Sequence, residues 1–254
     1  MGTGAHGHGA DNRLVIPERT GRTIFYERLD SPIVVERRVH ERPVSFLVEP
    51  PLAGSFHPCS VDDVCHLLAH LPAEDVARIA LVAMRQPTRK QRVLSKVWGR
   101  AAFWFESAGI EGPAIVLEAQ TDAPFTWPLS LSPEQARELD RLRADGHAIR
   151  RSRRHFEIET TAEALRSTML YRTVPHEVGH HVDRARHSRD EWISLTSPAL
   201  EDFAHRYATE AGARLRALGL LPFARRMDID AMAASGLRPE WFVPTPAPAE
   251  ASDA

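Results

Sequence analysis

The stretch YRTVPHEVGHHVDR, residues 171–184, gathers His176, His180 and His181 with Glu177, Asp183 and Gly179. His176 and His180 are four apart, so on a helix they share one face. Neutral imidazoles at that spacing can both reach one zinc ion at about 2.0–2.1 Å. Glu177 points roughly 100° further round such a helix. It would lie beside the metal rather than on it, where a carboxylate can take a proton from metal-bound water. This is the H-E-x-x-H arrangement, with the glutamate as general base. Val178 and Val182 offer an apolar face for burial. Gly179 inside the helix costs about 1 kcal/mol against alanine, which suits a site where another backbone must come close.

A catalytic zinc site needs a third protein ligand and an open position for water. Asp183 lies on the same helical face, but about 10.5 Å further along the axis than His176. It suits the role of acceptor for a histidine N–H better than that of ligand. His187 would require the helix to unwind after Asp183. It is also one residue out of register with H-E-x-x-H-x-x-G-x-x-H, which would put glycine at Asp183 and histidine at Arg186. The segment ALEDFAHRYATE, residues 199–210, offers Glu201 next to Asp202, with His205 one turn later. The intervening ARHSRDEWISLTS is long enough to reverse the chain, so two helices can pack antiparallel and deliver Glu201 across a cleft. The expected metal set is His176, His180 and Glu201. Leu200, Phe203, Ala204, Tyr207 and Ala208 form a packing face whatever Glu201 does.

Further upstream, SVDDVCHLLAHL reads as a helix capped by Ser60, with Asp62 and Asp63 in its first turn. Residues 79–84 read as a strand, and RAAFWFES and PAIVLEAQ as two more. SPEQARELDRLRADG is a helix with Ser132 as cap, Pro133 at its first position and Gly146 past its end. HAIRRSRRHFEIET reads as extended. Thr160 or Thr161 caps AEALRSTMLYRTV, which runs into Pro175. Either one helix bends there or a second one starts. The last long helix opens with Ser197 as cap and Pro198 at its first position. The order of helices, a small sheet, then helices gives an α+β class, with the H-E-x-x-H helix in the helical half.

The 254 residues suffice for one sizeable core, and 43% are hydrophobic. A single domain is expected over 13–243, between mobile tails at 1–12 and 244–254. The formal net charge of −2 gives no electrostatic reason to expect nucleic acid as a partner. Two cysteines, Cys59 and Cys65, are too few for a disulfide framework. No apolar signal-peptide core or bilayer-spanning run is present, so a soluble cytoplasmic protein with no membrane partner is the expectation. His57, Cys59, Cys65, His66 and His70 match no standard zinc spacing. Trp98, Trp104, Trp127 and Trp192 read as core or pocket walls.

On His176–Asp183 and, less specifically, Glu201–Ala208, the chain resembles the zincin metallopeptidases, specifically the gluzincin type. There the H-E-x-x-H helix is followed by a helix supplying a glutamate ligand. The upstream part is similar to an uncharacterised bacterial protein family. The resemblance implies a zincin-like fold and a Zn²⁺ cofactor on His176, His180 and Glu201. It implies that Glu177 activates water and carries its proton to the leaving amine of a peptide or protein substrate. It also implies a donor to the developing oxyanion, for which His181, His205, Tyr171 and Tyr207 are available. In zincins a sheet-edge strand before the catalytic helix commonly pairs with the substrate. Here that strand would be AIRRSRRHFEIE, residues 148–159. Its Arg150, Arg151, Arg153 and Arg154 would either favour acidic substrates or act as a charged edge against aggregation. The main alternative to a zinc-dependent hydrolase is a non-catalytic zincin-like module that binds metal and serves regulation or protein binding. A second alternative is a polar helix face with no metal.

Overall fold

The structure, a computed structural model, describes residues 28–88 and 98–244. The expected tails, apart from Pro244, lie outside the described residues. Two runs that the sequence reading left unassigned form the first elements: β1 (Ile33–Val39) and β2 (Arg42–Val48) pair antiparallel. His40 (φ 48°) and Glu41 (φ 62°) make the tight turn between them. Positive φ at both central residues matches the right-handed twist of the strands.

From β2 the chain passes through α1 (Val61–Leu68) and α2 (Ala73–Val76) to β3 (Leu81–Arg85), which lies parallel to β2. A second hairpin follows, β4 (Gly99–Ser107) and β5 (Ile110–Glu118), with β5 parallel to β3. The resulting five-stranded sheet has the order β1-β2-β3-β5-β4, so β4 is an edge. Among the described residues strands therefore come first, a correction to the expected order of helices, sheet, helices. The class is α+β as read.

Alternation along the inner strands builds the core. Phe46, Val48, Val82, Met84, Ile115 and Leu117 face one side of the sheet. There they meet Val64, Leu67 and Leu68 of α1. Leu47, Leu81, Ala83, Ala114 and Val116 face the other side. Strand β3 is buried along its whole length, as expected for a central parallel strand.

A separate three-stranded sheet contains β6 (Phe125–Pro128), β7 (Ala148–Arg151) and β8 (His155–Glu159), in the order β6-β8-β7. Helix α3 (Pro133–Ala144) joins β6 to β7. Its cap is Ser132, in a reciprocal box with Gln135. The segment read as one extended strand, residues 147–160, is thus a hairpin outside the main sheet. It is not the edge strand expected beside the motif helix.

The rest is helical: α4 (Ala162–Arg166), a π-helical segment (Ser167–Thr173), α5 (Val174–Arg186), α6 (Arg189–Ser194), α7 (Ser197–Ala217), α8 (Ile229–Ala234) and a 3₁₀ turn (Pro239–Phe242). Thr161 caps α4, while the Thr160 hydroxyl donates to the Asp122 carbonyl. Thr196, not Ser197, caps α7, one residue earlier than read. Met169, Leu170, Val174, Val178, Val182, Ala211 and Leu215 carry these helices onto the sheet face that α1 also covers. Among the described residues no helix is long and apolar enough to cross a membrane.

Candidate metal centre

The helical run from Ala162 to Arg186 absorbs Pro175 without breaking. The turn before it is π-helical: the Val174 N–H bonds the Met169 carbonyl, five residues back. A wider turn gives the proline ring room where an α-helix would clash. The Thr173 hydroxyl donates to the Thr168 carbonyl at 3.0 Å and so satisfies an acceptor there.

Helix α5 then presents three stripes, each with i, i+4 spacing. Val178 and Val182 enter the core. Glu177 and His181 are also buried. The His181 Nε2–H donates to the Ala114 carbonyl of β5 at 2.9 Å. Burial lowers the His181 pKa to about 4, so the ring is a neutral tether. His176 and His180 face α7.

Gly179 explains how close α7 comes. A Cβ at this position would meet Ala204 Cα and Tyr207 Cβ, both at 3.1 Å. Gly179→Ala is expected to push α7 outward by a few tenths of an ångström and carry Glu201 with it. If the three residues hold zinc, its affinity should fall about tenfold, the lower end of what displaced supporting groups cost. Competition with a chromophoric chelator measures it.

The structure brings His176, His180 and Glu201 together. The two Nε2 atoms are 3.1 Å apart. Glu201 Oε2 is 3.3 Å from His176 Nε2, and Glu201 Oε1 is 3.7 Å from His180 Nε2. Tetrahedral zinc with bonds of about 2.0–2.1 Å sets its ligand atoms roughly 3.3 Å apart. The donor set therefore fits such an ion in type and spacing. A histidine–histidine hydrogen bond would use two of these groups; a carboxylate facing both nitrogens is what a third ligand requires. Among the described residues no other group of His, Cys, Asp and Glu gathers in this way.

Electrostatics agree with the donor chemistry. Burial, then the neighbouring His176, lowers the His180 pKa to about 4, which keeps its ring neutral as a ligand must be. The hydrogen bond from His176 holds Glu201 below its usual range, against some opposing burial. Glu177 goes the other way. Burial raises it to about 7, opposed chiefly by His176 and also by the hydrogen bond from the Ala101 N–H of β4.

Other expected roles are corrected. The Asp183 carboxylate lies 3.5 Å from His187 Nδ1, which also donates to the Asp183 carbonyl at 2.9 Å. Asp183 thus serves the end of α5, and His187 is no ligand. His176 Nδ1 is buried without a partner, so Asp183 does not serve that nitrogen as the expected outer acceptor. Of the four oxyanion donors considered, three are engaged elsewhere. Tyr171 donates to the Phe223 carbonyl, Tyr207 to Asp75, and His181 to Ala114. His205 alone of the four lines the cleft over the metal residues. Its ring centroid is 4.4 Å from that of His176, and burial lowers its pKa to about 4.

No family model, curated protein or solved structure matches the chain. Geometry and chemistry must therefore carry the functional reading.

The cleft has a volume of about 590 Å³ and holds His176, Glu177, Glu201 and His205. Its other walls come from Trp98 and Gly99 at the start of β4, from Phe125 and Trp127 of β6, and from α3. The sequence reading named Trp98 and Trp127 as core or wall residues but had no basis for placing β6 opposite the motif helix. Trp192 is buried against Phe103, and Trp104 is 41% exposed on β4. Arg150, Arg151, Arg153 and Arg154 do not line the cleft. Arg150 instead pairs with Glu159 at 2.6 Å. His57 bonds the Glu49 carbonyl and His70 the His66 carbonyl; the His66 and His70 rings meet edge to face at 4.6 Å, but among the described residues no third histidine or cysteine joins them as a ligand group.

Proposed function

We propose that the protein is a zinc-dependent hydrolase of the gluzincin arrangement, acting on a peptide bond. One observation carries the reading: the ligand atoms of His176, His180 and Glu201 lie within 4.8 Å of one another, beside Glu177 and open to a cleft. Zinc held there would supply Lewis acidity and would lower the pKa of a bound water towards 7. Glu177, kept off the metal by its position on α5, takes the water's proton and returns it to the leaving amine. The Ala101 N–H fixes its carboxylate. His205 is neutral and one turn from Glu201, and its ring N–H serves as donor to the developing oxyanion. The likeness to zincins adds the expectation of a peptide or protein substrate.

Metal analysis tests the reading. Freshly purified protein should contain stoichiometric zinc, and His176→Ala with His180→Ala should abolish it. Ligand binding to the folded state adds about 4 kcal/mol of stability at a thousandfold excess over Kd. A chelator should therefore lower the melting temperature of the parent protein and leave that of the double variant unmoved. Absence of zinc from the parent protein would end the proposal.

A further inference from the structure

The charges and rings of the cleft point to what it accepts. Strand β6 alternates: Phe125 and Trp127 are half-buried, while Thr126 and Pro128 are exposed. Period-2 geometry puts the two rings on one face, and their centroids are 6.2 Å apart, edge to face. Both rings line the same cleft as the metal residues. Apart from the motif residues, the charged groups that line the cleft are Glu134, Glu138, Arg141 and Arg172. All four are already paired, in one chain of contacts that Arg137 and Asp145 complete from outside the cleft: Glu134 with Arg137 and Arg141, Glu138 with Arg141 and Arg172, Arg172 with Asp145. A charged side chain entering here would have to displace a pair already formed. An uncharged ring displaces none, and it gains edge or face contacts with Phe125 and Trp127.

We infer that the cleft selects a peptide carrying an aromatic side chain, seated against Phe125 and Trp127 beside the His176–His180–Glu201 centre. Cleavage of such a peptide rests on the hydrolase reading; its binding does not.

The test titrates the full chain with four blocked single residues, the N-acetyl amides of tryptophan, alanine, glutamate and lysine, followed by NMR. The tryptophan probe should bind about tenfold or more tightly than the other three. Trp127→Ala should erase that preference with zinc content unchanged, and Trp127→Phe should keep it. Equal binding of all four probes, or tighter binding of the glutamate or lysine probe, would overturn the inference without use of any variant. A peptide library separates the two ideas. Tryptophan-probe binding without cleavage of any peptide sinks the hydrolase and keeps the aromatic site. Cleavage with no aromatic preference at any position does the reverse.

Discussion

Glu177→Gln is expected to retain stoichiometric zinc and to lower peptide turnover by about 10²–10⁴-fold, the usual worth of a general acid–base residue. The geometry separates the two effects. Glu177 sits next to His176 in the chain but is turned roughly 100° away on the helix, so it is not among the three converging ligands. Its side chain is buried and accepts from the Ala101 N–H. Glutamine has the same shape and keeps an oxygen for that bond, so packing against β4 should survive. What glutamine cannot do is take up a proton. Zinc content, melting temperature, kcat/KM and cellular function, measured together, give three distinct outcomes. Zinc and stability retained with turnover lost supports a hydrolase. Biological activity surviving the substitution points to a metal-binding module without chemistry. Loss of zinc would mean that Glu177 holds the centre in some other way, and the general-base assignment would fall.

The centre was legible because helical periodicity is rigid. Once residues 176–183 are helical, His176 and His180 must align, and a Gly in that helix signals a close neighbour, which proves to be Ala204. Glu201 was legible by a weaker route, the packing face of α7. Elements were missed where turns lack their usual residues. The β1–β2 hairpin turns on His40 and Glu41, neither of them Gly nor Asn, although both adopt positive φ. The β7–β8 turn is closed by Ser152. Its backbone N–H donates to the His155 carbonyl, and its hydroxyl oxygen accepts from the Arg154 and His155 N–H groups. Nothing in SRR announces that. The π-helical turn before Pro175 has no propensity signature; it depends on how the long helical run is packed. Cleft walls come from elements distant in sequence, so β6 could be read as apolar but not placed.

The second large effect lies outside the His176–His180–Glu201 cluster. Asp63→Ala is expected to cost about 3–5 kcal/mol, the range for removing one partner of a buried ion pair. In a domain of this size that lowers the melting temperature by roughly 6–20 °C. The Asp63 carboxylate is fully buried and ties three segments together. It accepts from Arg166 Nη2 at 2.8 Å and Nε at 3.1 Å. It accepts from the Arg226 backbone N–H at 2.9 Å, and from the Ser60 N–H at 3.2 Å to complete the α1 capping box. Arg166 also donates to the Tyr171 hydroxyl and the Phe223 carbonyl, and its guanidinium lies 5.0 Å from the Phe223 ring centroid. Truncation therefore leaves a guanidinium buried without its counter-ion and two backbone N–H groups without acceptors. Replacing both partners, Asp63→Leu with Arg166→Met, removes the stranded charge and should recover part of the loss. Recovery should stop short of the parent protein, because the Ser60 and Arg226 N–H groups stay unmet whatever fills the space. Urea unfolding of the two variants reads both numbers. A cost below about 1 kcal/mol for Asp63→Ala would mean that Arg166 finds water or another acceptor, and that the clamp joining α1 to the chain around Phe223 and Arg226 is not what holds these segments in place.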